Sequence, residues 1–248
     1  LSAVECILQD TPPVNLKFFL EGEEEIGSPS LNAFLESNKE LLNADVVLNL
    51  DEGMYSAEAP AISTTLRGIA AFELRVYGPS SDLHSGSYGG AVHNPAQALC
   101  ELLAGMHDEN GRVALPGFYD RVQPLTAEER QALARLPGGD AALQQESGVP
   151  QLWGEPEFTA LERIGARPTL EINGLRSGFT GAGSKTIIPS HSMAKITTRL
   201  VSDQQPDEVY EQLKAYLSAH APDTIRWELD YLGKGMPFSA NLELPVLK

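Results

Sequence analysis

The sequence predicts an α/β chain in two parts: a β-α-β unit, then an antiparallel α+β sandwich of the ferredoxin-like type. Three observations predict it. The apolar run Val14 to Leu20 passes through a packet of acids into a helical period and then into a second apolar run, Val46 to Leu50. Ile69 to Tyr77 alternates Ala71, Glu73 and Arg75 with Phe72, Leu74 and Val76, the pattern of a sheet wetted on one face. Beyond it, strand-like and helical segments follow in the order β-α-β-β-α-β, with an insertion after the first helix.

Taken in order, Leu1 to Leu8 carries a helical apolar spacing with neither a start methionine nor a capping residue ahead of it, so a fragment entered within a helix is expected. Ser28 fits an N-cap and Pro29 the first helical position, and Leu31, Phe34 and Leu35 continue the period of a helix from about Pro29 to Leu42. Glu21, Glu23, Glu24 and Glu25 therefore belong to a strand-to-helix turn, the side of an open α/β sheet where ligands bind. The two flanking strands should run parallel, and as neighbours they would bring Glu24 or Glu25 and Asp51 to one edge.

From Leu66 the character changes. A strand at Ile69 to Tyr77 and a helix at about Asn94 to Met106 precede an irregular stretch, Gly111 to Arg167, in which one short helix is expected at Ala127 to Arg135. Strands follow at Thr169 to Leu175 and Ser192 to Val201, then a helix at Pro206 to Ala219 and a strand at Thr224 to Leu232. The expected division is 1–65, 66–232 and a return segment 233–248 that rejoins the first domain.

With 248 residues, 42% of them hydrophobic, the chain is long enough for one large core or two smaller ones. No apolar run approaches the roughly 20 residues of a membrane helix, and no secretory leader pattern is present. Membrane insertion is not expected. A formal charge of −16 argues against nucleic acid, whose binding rests on Lys and Arg against phosphates. Gly181 to Thr186 lacks the glycine spacing of a phosphate loop. Cys6 and Cys100 both fall in helix-like apolar patterns and read as buried thiols in a reducing compartment, the cytoplasm by default.

Acids before a helix are favoured by the helix dipole, so the packet by itself reads first as a solvated cap. Asp51 at the end of the next strand tips the balance. Carboxylates converging at one sheet edge suit Zn²⁺, Mn²⁺ or Mg²⁺. Adjacent glutamates also permit a division of labour, one holding the ion and its neighbour removing a proton from water.

Leu20-Glu21-Gly22-Glu23-Glu24-Glu25-Ile26-Gly27-Ser28, Asp82-Leu83-His84-Ser85-Gly86 and Phe179-Thr180-Gly181-Ala182-Gly183-Ser184-Lys185-Thr186-Ile187-Ile188-Pro189 together resemble the M20 family of zinc metallopeptidases. The spacing is closest to its cytosolic dipeptidase and carnosinase-like branch. The resemblance implies a two-zinc catalytic domain, in part, with an inserted ferredoxin-like lid that forms a homodimer. By position it makes Glu24 the general base, and Glu25 and Asp51 ligands of the two zinc ions. It makes His84 a substrate contact in the partner's site, and Thr186 and Arg199 the holders of the substrate carboxylate. The family's His-x-Asp motif and bridging Asp fall ahead of Leu1 and its last metal-binding His beyond Lys248, so the 248 residues alone are expected to be inactive. Hydrolysis of dipeptides or small peptides is the activity implied. An N-acyl-amino-acid amidohydrolase of the same family and a non-catalytic dimerisation or binding module are the alternatives.

Overall fold

The computed structural model describes residues 2–7, 9, 14–49, 62–241, 243 and 245. The chain divides into two compact units, Leu1–Gly53 and Met54–Lys248.

The first unit holds helix α1 (Ser2–Ile7), a single 3₁₀ turn at Glu24–Ile26, and helices α2 (Leu31–Ser37) and α3 (Lys39–Leu42). The predicted helix is present but begins two residues later and breaks at Asn38. Ser28 is not its cap: with φ 49 it belongs to the turn, and Ser30 stands at the N-cap. At the break, Asn38 Nδ2 donates to the Phe34 carbonyl at 2.8 Å, the local side-chain bond that competes with helix continuation. Residues 14–20 and 46–49 have no sheet partners among the described residues, and their apolar side chains stay exposed, Leu20 at 91% and Val47 at 84%. The expected parallel pairing is therefore corrected for this unit by itself. A parallel pair needs cover on both faces, and three short helices supply little. The first run is tied instead by Lys17 Nζ, which donates to the Leu41 and Asn43 carbonyls at 2.8 and 2.7 Å, and by Phe19 stacked on Phe34 at 5.5 Å.

The second unit is built on a four-stranded antiparallel sheet. Its strands are β2 (Gly68–Tyr77), β4 (Thr169–Ser177), β6 (His191–Leu200) and β7 (Arg226–Gly235), in the order β4-β6-β2-β7. Two short ladders flank it: β1 (Thr65–Leu66) with β8 (Phe238–Ser239), and β3 (Leu83–His84) with β5 (Ile187–Ile188). Helix α4 (Ser85–Tyr88) follows β3, α5 (Pro95–Ala104) follows it in turn, three more, α6 (Ala127–Ala134), α7 (Gly139–Ser147) and α8 (Ala160–Ala166), belong to the insertion described below, and α9 (Pro206–His220) joins β6 to β7. With α5 and α9 on one face, this is the ferredoxin-like arrangement expected.

The alternation decides which face is covered. Phe72, Leu74 and Val76 of β2 and Ala194, Ile196 and Leu200 of β6 are buried, and they pack with Leu99 and Leu102 of α5 and Val209, Leu213 and Leu217 of α9. The odd-numbered residues lie on the other face. There Arg75 gathers Glu73 and Asp230, and Tyr77 donates to Glu228 Oε2 at 2.8 Å. Cys100 sits off the buried stripe of α5 and is exposed, as is Cys6; both thiols are free, but neither is buried as expected.

The insertion contains the expected helix as α6 (Ala127–Ala134), with the Thr126/Glu129 capping box. It contains two more, α7 (Gly139–Ser147) and α8 (Ala160–Ala166). Thr159-x-x-Glu162 is itself a capping box and was a legible start signal for α8. A buried ion knot ties the two ends of the insertion to its middle. The Glu155 carboxylate, 4% exposed, accepts from Arg167 Nε and Nη2 at 2.9 and 2.8 Å and from Arg112 Nη1 at 2.9 Å. The Arg167 guanidinium lies over the rings of Tyr119 and Phe158.

Candidate functional site

The acid turn separates its four glutamates by role. Gly27 closes the 3₁₀ turn at φ 83, a left-handed position that suits glycine, and donates to the Glu24 carbonyl at 2.9 Å. Glu21 Oε1 accepts from the Glu23 backbone at 2.6 Å. Glu23 accepts from Ser30 N and Oγ at 3.0 and 3.3 Å, which caps α2. Glu24 and Glu25 are exposed, and among the described residues their carboxylates take part in no hydrogen bond or ion pair. Two free, adjacent carboxylates fit a metal ligand and a base by kind. Asp51 lies outside the described residues, and among those described no three His, Cys, Asp or Glu side chains gather to hold a metal ion.

The other two motifs fold onto one another within the second unit. β3 pairs with β5 so that His84 stands opposite Ile187, and Ser85 N donates to the Thr186 carbonyl at 2.9 Å. Asp82 Oδ1 accepts from Ser190 N at 2.8 Å and fastens the two loops together. His84 Nδ1 accepts from Gly86 N at 3.1 Å, so the neutral ring carries its proton on Nε2, which lies 3.0 Å from Thr186 Oγ1. A Cβ at position 86 would stand 2.8 Å from His84 Cε1. The motif glycine makes room for the ring.

Arg199 lies on the uncovered face of β6, exposed, paired in register with Ile69 and Thr169. At about 3.3 Å per residue, the strand from His191 to Arg199 spans roughly 26 Å. That length separates the start of β6 from Arg199, against about 7 Å for an extended dipeptide. His84 and Thr186 are brought together; Arg199 is at the far end of the sheet.

Two residues of this unit were not singled out from sequence. Asp82 stands out in the sequence only as part of its motif. Arg67 follows the apolar residue where the second unit's first strands begin, and nothing in that local pattern distinguishes it from a surface arginine. A polar cavity of about 320 Å³ lined by Asp120, Arg121, Gln204, Glu208 and Gln212 contains none of the motif residues, and its arginine is already held by Glu208 at 2.7 and 2.5 Å.

Comparison with known proteins agrees with this arrangement. A rat (Rattus norvegicus) Beta-Ala-His dipeptidase is 32% identical over 214 residues, covering 86% of this chain and 44% of that protein. A Cys-Gly metallodipeptidase of Schizosaccharomyces pombe is 32% identical over 209 residues, covering 83% of this chain and 44% of its own length. The chain thus spans about half the length of these curated relatives. The crystal structure of an M20 family metallo-carboxypeptidase from Sulfolobus solfataricus superposes with a TM-score of 0.75 at 31% identity, over 88% of this chain and 56% of that one. Residues 64–225 match the peptidase dimerisation domain of the M20 type. Because that match takes in well over half of the chain, including the whole sheet-and-helix sandwich up to β7, the chain belongs to the M20 peptidase dimerisation-domain family.

Proposed function

We propose that the full-length protein is a metal-dependent dipeptidase that works as a homodimer, with residues 1–65 and 233–248 belonging to its catalytic domain and 66–232 forming the lid. The observation that carries this reading is the His84 and Thr186 pair, presented by two interlocked motifs at one end of the lid while Arg199 stands at the other. The names of the relatives, a Beta-Ala-His and a Cys-Gly dipeptidase, favour dipeptides over N-acyl amino acids as substrates. The antiparallel pairing of β1 with β8, reinforced by Ala240 N donating to the Thr64 carbonyl at 2.8 Å, supports a lid whose entry and exit run side by side.

In the mechanism proposed, Glu25 and Asp51 hold the metal ions, two zinc ions by resemblance, with manganese an admissible replacement. The metal, when bound, polarises the scissile carbonyl and acidifies water. Glu24 takes the proton from the attacking water and returns it to the leaving amine. Arg199 receives the substrate's C-terminal carboxylate by charge-assisted hydrogen bonds. His84, with Nε2 as donor, and Thr186 reach the substrate held by the partner subunit, since their own Arg199 lies beyond a dipeptide's length. A free-thiol protein of this kind is assigned to the cytoplasm.

The test is a pair of variants in the full-length protein, read by dipeptide turnover and bound-metal analysis. Glu24→Gln keeps its metal and loses about 10² to 10⁴ in rate, because Gln preserves shape but accepts no proton. Glu25→Gln loses metal. Metal loss from Glu24→Gln alone would reverse the two roles, and absence of dipeptide turnover by the wild type would overturn the reading.

A further inference from the structure

Arg67 immediately precedes β2, and its side chain reaches across the end of β6 toward the start of β4. Nη1 lies 3.5 Å from the Arg167 carbonyl, a long contact that spends one of its five N–H donors. The row beneath is Ile69, Arg199 and Thr169, paired in register across the three strands. Arg67 is half-buried and Arg199 exposed, and among the described residues neither guanidinium has a carboxylate within ion-pair distance. Burial, and then the charge of Arg199, depress the Arg67 guanidinium, with Glu171 acting in the opposite sense. A half-buried cation beside a like charge, with no ion pair of its own, is an unfavourable arrangement unless an anion completes it.

The contact that holds Arg67 comes from the insertion. Arg167 is the last residue of that stretch, and its guanidinium is locked on buried Glu155 and between the Tyr119 and Phe158 rings. Its carbonyl is accordingly a fixed point. The insertion thereby offers Arg67 one acceptor, at the long end of hydrogen-bond distance.

We propose that Arg67 is a second carboxylate-binding residue, forming with Arg199 a two-guanidinium clamp for the C-terminal carboxylate of the substrate. Two planar forks match the two oxygens of one carboxylate in a way a lone point charge does not. This rests on the dipeptidase reading above and adds a residue and a supporting element to it.

The experiment compares full-length wild type, Arg67→Gln, Arg67→Lys and Arg199→Gln on one dipeptide and on its C-terminal amide. Loss of a charged hydrogen-bond partner predicts that Arg67→Gln raises KM for the free acid about 10- to 100-fold, with kcat changed by less than about threefold. The amide, which lacks the anion, should show no such change. Arg67→Lys should recover part of the acid-over-amide preference, which a purely structural role would not produce, and it carries the test if Arg67→Gln fails to fold. Equal KM values for wild type and Arg67→Gln, or equal losses on acid and amide, overturn the clamp. Where Arg199→Gln raises KM for the acid and Arg67→Gln does not, only this inference falls. Where Arg199→Gln is silent too, or the wild type does not turn over the dipeptide, the dipeptidase reading falls with it.

Discussion

If His84 acts across a two-fold axis, two inactive subunits should repair one another. The perturbation is a 1:1 mixture of full-length His84→Ala and Glu24→Gln proteins, dissociated and reassociated. Thr186 Oγ1 is 3.0 Å from His84 Nε2, and Ile187, the next residue, is the register partner of His84. From there to Arg199 the chain follows the whole of β6, roughly 26 Å at about 3.3 Å per residue, against about 7 Å for a dipeptide. On these lengths one substrate is expected not to touch both Arg199 and His84 of the same chain. In a heterodimer with His84 acting in trans, one site lacks both groups and the other keeps both. Random reassociation makes about half of the dimers mixed, and each keeps one of two sites, so the mixture should regain about a quarter of wild-type activity. Each parent stays about 10² to 10⁴ below wild type where the general base is lost. Dipeptide turnover before and after mixing, with size-exclusion chromatography to follow exchange, reads the result. A mixture as inactive as its parents despite exchange, or a strictly monomeric protein, refutes the reasoning.

Glu155→Ala leaves the Arg167 guanidinium buried without its anion and should cost about 3–5 kcal/mol, against about 1 kcal/mol for Arg112→Gln at the more exposed side of the same knot. Urea unfolding followed by tryptophan fluorescence measures both, because Trp153 lies in the insertion and packs edge-on to His107 at 5.3 Å. Burial holds the His107 imidazole below its ordinary range, with Glu171, the Leu170 carbonyl and Asp108 pulling it back. Below about pH 6.5 the unfolded chain binds this proton more readily than the folded one, so stability should fall as pH drops through that region, and His107→Asn should flatten the fall in a thermal-unfolding series. Gly86→Ala places a methyl against the His84 ring, which is free to rotate away; Tm should move by only a few degrees while dipeptide turnover drops at least tenfold, and unchanged turnover would show that the ring's seat is unimportant.

Much of the second unit was legible in order because its signals are local. Phe72, Leu74 and Val76 alternate with Ala71, Glu73 and Arg75, and one face of such a strand has to be buried; Pro206 and the Val209, Leu213, Leu217 spacing do the same for α9. The order of these elements leaves few topologies, and the ferredoxin-like one is present. The first unit was read less well for the same reason. Residues 14–20 and 46–49 are apolar enough for strands, but a strand exists only through neighbours, and apolar composition does not supply them. Cys100 shows the limit at one residue: the helix was correctly expected, yet its phase on the sheet, set by Ala98, Leu99 and Leu102, turned the thiol outward.

The motifs determined by themselves which residue types are available: adjacent glutamates, one histidine in a tight polar turn, one arginine on a strand. Tertiary structure alone decided their company. It spent Glu21 and Glu23 on backbone and cap and left Glu24 and Glu25 free. Pairing of β3 with β5 put His84 on Thr186 across 102 residues of chain, while the extended backbone of β6 carried Arg199 away from both and up to Arg67. Such distances follow from register and strand rise, long-range quantities that no local window of sequence contains, whereas the chemistry of each side chain is present in its sequence from the start.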